Sequence, residues 1–142
     1  MELSRKGFGA YDVRGLYPEE VNEELAYRVG KAFVQLLGAK RVAVGHDIRL
    51  SGPSISEALT RGLTESGCDV VDIGQCGTEM IYFATFHLGL DGGIMVTASH
   101  NPKNYNAVED AMSFEDAEGI GIQHFCPLVT IVACGIATGH DM

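Results

Sequence analysis

Three short apolar runs, at 41–45, 69–74 and 92–96, alternate with stretches of helical spacing, and this alternation constrains the fold most. Each run has the length and β-branched content of a strand covered on both faces. Between the first two, Ile55, Ala58, Leu59 and Leu63 recur at helical spacing, with Gly62 as a further inward position. Ser51 or Ser54 starts that helix and Gly67 stops it. Residues 79–88 predict another helix, rich in aromatic side chains and ending at Gly89. Upstream, Pro18 with Glu19 and Glu20, or else Asn22, begins a helix that turns Leu25, Val29, Ala32, Phe33 and Leu36 inward and ends near Gly38. Strand and helix in this order predict an α/β domain of three layers, with a mostly parallel sheet of about four strands. Such sheets bind ligands at the carboxyl ends of their strands, which places the loops at 11–15, 46–51 and 97–102 on one edge.

The chain has 142 residues, enough for one domain with a real core. Its formal charge is −9, from 10 Lys and Arg against 19 Asp and Glu. That balance argues against nucleic acid or an anionic membrane as partner, since both need a basic face. A phosphorylated small molecule stays open, because a few local cations and backbone N–H groups can bind phosphate. The four cysteines, Cys68, Cys76, Cys126 and Cys134, include no Cys-x-x-Cys pair and read as reduced thiols. The opening residues contain no apolar signal region and no apolar run reaches about 18 residues, so a cytoplasmic location is expected.

The third apolar run delivers Thr97-Ala98-Ser99-His100-Asn101-Pro102. A serine where a buried strand breaks into a polar turn can present a reactive hydroxyl. His100 and Asn101 can donate hydrogen bonds to an anion on that oxygen. The chemistry indicated is phosphoryl transfer through a serine, which depends mainly on positioning and charge stabilisation.

These residues also carry a resemblance. The serine block, Ala10-Tyr11-Asp12-Val13-Arg14-Gly15, and the block at 45–52 (Gly-His-Asp-Ile-Arg-Leu-Ser-Gly) closely resemble three motifs of the α-D-phosphohexomutases, in the same order. Residues 77–89 look most like the phosphomannomutase branch, and the likeness runs from about Phe8 to Asn106. The resemblance implies a phosphomannomutase or phosphoglucomutase, an isomerase of carbohydrate metabolism that moves phosphate between the 1- and 6-positions of a hexose. Ser99 would carry the phosphate and His100 would lie near the reacting oxygens. Tyr11, Arg14, Asn101 and Lys103 would bind phosphate or substrate. Mg2+ would meet this chain only through the phosphate on Ser99, its aspartate ligands belonging to a second domain. The chain would thus divide into a serine-bearing domain, 1–106, and a divergent tail, 107–142.

The pattern is broken at two places. Ala107 stands where the family has glycine, and Glu109 where a lysine serves the phosphoryl transfer. An acid there repels a phosphate instead of attracting it. With no Asp-Gly-Asp loop in the sequence, the chain is expected to be inactive alone and to need further domains or an oligomer. The competing reading is a truncated, non-catalytic interaction or oligomerisation module that keeps the fold. Plainer roles exist for single residues too. Arg14 can pair with Asp12 or Asp47, Tyr11 can be core, and Lys103 can be a solvated loop lysine. Asp47 and Arg49 read as a salt bridge that braces loops. His46, His87, His124 and His140 lack metal-ligand spacing. The acidic stretch 109–118 reads as a solvated face, and the apolar residues 128–133 as a sheet-edge strand or partner surface.

Overall fold

In the computed structural model, which describes residues 13–97, 105–116 and 119–123, one mixed sheet is flanked by helices on both faces. The elements are β1 (Val13–Leu16), α1 (Glu23–Leu37), β2 (Arg41–His46), α2 (Gly52–Glu65), β3 (Asp69–Gln75), α3 (Thr78–His87), β4 (Gly92–Val96), β5 (Tyr105–Asp116) and β6 (Gly119–Gln123). The sheet order is β1-β5-β4-β2-β3, with β6 paired to β5. β2 lies parallel to both β3 and β4, and this is the part that the βα rhythm foresees. β5 extends it antiparallel to β4, to β1 and to β6. The α/β class and its three layers are therefore as read from sequence, and the sheet is wider.

Alternation along the strands separates two cores, because successive strand side chains point to opposite faces. Val42 and Val44 of β2, Ile94 and Val96 of β4 and Val108 of β5 share one cluster with Leu25, Val29 and Phe33 of α1 and Ile55, Leu59 and Leu63 of α2. Ala43 and Met95, the intervening residues, pack with Ile81, Ala84 and Leu90 on the α3 side.

Helix ends follow local chemistry. Asn22 is the cap of α1: its side-chain oxygen accepts from the Leu25 N–H at 3.0 Å. Pro18, Glu19 and Glu20 form the turn before the helix, where Glu20 accepts from the Leu16 N–H at 2.9 Å. Glu23 and Glu24 then occupy the first turn, where their charge suits the helix dipole. At the other end Gly38 takes φ 63°, left-handed backbone that glycine adopts without strain, and its N–H reaches Val34 O at 2.8 Å. Asn22→Ala is expected to cost about 1 kcal/mol, as a lower urea midpoint with unchanged slope.

The acidic stretch takes strand form as far as Asp116. Residues 109–116 continue β5, with Glu109 opposite Met95 and Asp110 opposite Ile94, and β6 follows as a hairpin partner. Asp, Glu, Asn and Ala are poor strand formers, so the pairing with β4 and β1 imposes the conformation. The position between 106 and 107 falls inside this strand. The apolar residues 128–133 lie outside the described residues. Among the described residues no helix is long and apolar enough to cross a membrane.

Candidate active site at the carboxyl edge of the parallel strands

β4 is buried along its whole length and ends at Val96. Thr97 then leaves the sheet, and the chain returns as β5 at Tyr105. Ser99, His100, Asn101 and Lys103 lie between them, outside the described residues, as does Tyr11. What the structure defines is the frame around them.

Thr97 is buried, at 4% exposure, and its N–H donates to Ala107 O at 3.0 Å. Its hydroxyl donates to Asp47 Oδ2 at 2.7 Å. Asp47 follows β2, and its own N–H donates to Val96 O at 3.1 Å. The Asp47 carboxylate also accepts from the Arg49 N–H at 3.0 Å and from Arg49 Nε at 3.2 Å. This is the salt bridge expected between the two residues, and both side chains are mostly covered. As an internally neutral pair it places no net negative charge on the edge, where a lone aspartate would repel phosphate.

The returning arm is held by the same loop. Asn106, fully buried, donates from Nδ2 to Ser51 Oγ at 2.8 Å and accepts from the Ala107 N–H at 2.9 Å. Ser51 precedes α2 as its cap residue, yet makes no side-chain capping bond there. Its hydroxyl serves the neighbouring strand instead. Between Asp47 and Ser51, Ile48 and Leu50 project into solvent, 82% and 100% exposed.

β1 brings the third motif to the same place. Arg14 stands opposite Ala107 and Gly15 opposite Asn106, so the backbone of Arg14 pairs with the residue that bonds Thr97. Residues 13–15 are therefore strand, where the sequence reading has a loop at 11–15. Pairing with β5 extends them, and their position on the edge is unchanged.

Other candidate chemistry is quieter. Burial raises the Cys76 thiol pKa first, with the Glu79 and Asp72 charges adding to it. Cys68 is raised likewise, by burial and then by Asp91 and Asp69. Both cysteines are free, and a raised thiol is a poor nucleophile at neutral pH. His87 stacks on Phe83 at 5.0 Å. Among the described residues no three or more His, Cys, Asp or Glu side chains gather as a metal would need. The anchoring roles of Thr97, Ser51 and Asn106 escaped the sequence reading, although polar residues at both ends of a strand break were a usable signal.

The family model for phosphoglucomutase/phosphomannomutase, alpha/beta/alpha domain I, matches residues 5–124. The chain belongs to this family. A phosphomannomutase from Klebsiella pneumoniae is 58% identical over 102 residues, which are 72% of this chain and 65% of that protein. An Escherichia coli phosphomannomutase is likewise 58% identical over 102 residues, but these are 22% of its length. The crystal structure of a phosphoglucomutase/phosphomannomutase family protein from Burkholderia thailandensis superposes with a TM-score of 0.78 at 33% identity, covering 96% of this chain and 31% of that one. This chain thus spans less than two thirds of these relatives, and about a fifth of the E. coli phosphomannomutase. The α/β unit described above corresponds to domain I of this family.

Proposed function

We propose that this chain is the serine-bearing first domain of a phosphohexomutase and that Ser99 accepts and returns phosphate. The observation that carries the reading is the convergence of three family motifs on one sheet edge: β1 with Arg14, the 46–51 loop, and the strand end at Thr97 that leads to Ser99. In the step proposed, Ser99 Oγ attacks a phosphorus of a hexose bisphosphate. The P–O bond to the sugar breaks, the serine gains the phosphoryl group, and the serine's proton passes to the sugar oxygen, with His100 as its carrier. Arg14, Asn101, Lys103 and Tyr11 hold the phosphorylated hexose. Residues 1–106 carry these groups and 107–142 contributes none of them. Mg2+ would meet this chain through the phosphate on Ser99, with its aspartate ligands supplied by a second domain.

The test is direct. Intact mass after incubation with a hexose 1,6-bisphosphate and Mg2+ is expected to show one added phosphate on the chain, and none on Ser99→Ala. The absence of labelling, even with the remaining domains of a relative supplied in trans, would sink the catalytic reading. One sequence feature favours a non-catalytic module instead: Glu109, where a lysine is expected, pairs with Met95 one residue inward from the strand end. Mutase turnover by the chain alone in a coupled assay would remove that alternative.

A further inference from the structure

We propose that Asp47 and Ser51 are positioning residues, a two-point clamp that sets the separation and orientation of the two ends of the serine segment. For its catalytic half this rests on Ser99 being the phosphate acceptor. In sequence, residues 98–104 link Thr97 to Tyr105, the first residue of β5. Left to itself, a segment of this length loses backbone entropy of roughly 1–2 kcal/mol per residue when it is fixed for reaction. Strand pairing fixes only where it begins and ends.

Beyond that pairing, a long-range side-chain bond at each end runs to the same loop. Thr97 Oγ1 reaches Asp47 across 50 residues of sequence, and Asn106 Nδ2 reaches Ser51 across 55. The acceptor on the first arm is held before Thr97 meets it, because the Asp47 carboxylate also takes two donors from Arg49 and its backbone is bonded to Val96. On the second arm, Asn106 is turned by its own bond to the Ala107 N–H, and Ser51 is held at the start of α2. Two fixed partners four residues apart on one loop define a span, whereas one would leave a pivot. Burial alone calls for a partner to each polar group, but it does not call for both partners to come from this loop.

The experiment uses the full chain with Thr97→Val, Thr97→Ser and Ser51→Ala. Valine keeps the β-branched shape and removes the donor, while serine restores the donor. Phosphate uptake at Ser99 from a hexose 1,6-bisphosphate, followed by intact mass, is expected to slow on the order of 10²-fold in Thr97→Val and to recover within a few-fold in Thr97→Ser. A second readout needs no catalysis. Trypsin cleavage after Lys103 is expected to accelerate in Thr97→Val and Ser51→Ala, with cleavage after Arg28 and Lys40 unchanged as the gauge of global unfolding. Wild-type cleavage at Lys103 in both variants overturns the clamp, whether or not Ser99 is labelled. So does wild-type uptake by Thr97→Val. Accelerated cleavage with no uptake by any chain, wild type included and with the remaining domains of a relative supplied in trans, keeps the clamp and overturns the reading of Ser99 as acceptor.

Discussion

Gly62→Val is expected to lower the stability of the domain by about 3 kcal/mol, a large share of the roughly 5–15 kcal/mol that holds such a domain folded. α1 and α2 approach each other backbone to backbone through two glycines. A Cβ on Gly62 would collide with the Tyr27 carbonyl oxygen and stand 3.0 Å from its carbon and 3.2 Å from Lys31 N. A Cβ on Gly30 would stand 2.5 Å from Leu59 O. These neighbours are main chain in both helices, so no rotamer change relieves the overlap and the helices must separate. Valine regains a few tenths of a kcal/mol over glycine in intrinsic helix preference, too little to offset the strain. Urea unfolding followed by circular dichroism checks this, and a midpoint equal to wild type would show that the helices can part at no cost.

Phe33→Ala is expected to cost about 3–5 kcal/mol, enough to bring the domain near its unfolding threshold at 37 °C. Phe33 heads the fully buried side chains, at 1% exposure, and sits in the cluster that joins α1 and α2 to β2, β4 and β5. Its removal leaves a cavity bounded by sheet and helix, which cannot collapse without moving either. Phe33→Leu, which keeps much of the apolar volume, should lose less. A thermal midpoint for Phe33→Ala within a degree or two of wild type would contradict the packing described.

The sequence was most legible where structure is local. Leu25, Val29, Ala32 and Phe33 state their helix by spacing alone, and Asn22 and Gly38 mark its ends with side-chain and backbone chemistry. Val42 and Val44 mark a buried strand because nothing polar interrupts them. β5 was illegible for the opposite reason. Asn106, Glu109 and Asp110 carry no strand preference, and only pairing with β4 and with β1, the latter distant in sequence, makes them extended. Arg14 and Asp47 could be picked out by their motifs, and the salt bridge from Asp47 to Arg49 by charge and spacing. That Asp47 would reach Thr97, and Ser51 would reach Asn106, depends on how far β2 and β4 run before their loops begin, a register that no single residue encodes.

The antiparallel position of β5 also sets an order of assembly. β2, α2, β3, α3 and β4 follow one another along the chain, and each contacts elements made shortly before it. β1 is different, because its strand partner is β5, made almost at the far end of the described residues. During synthesis from the N-terminus, the parallel half of the sheet can form while β1 waits unpaired. Only when residues 105–108 emerge does β1 gain its ladder, and the same event draws Asn106 to Ser51 and Ala107 to Thr97. Contacts of such wide separation close late because loop entropy must be overcome first. The edge that gathers the family's motifs is thus completed only after the parallel half of the sheet, and β1 waits without its ladder until residues 105–108 have been made.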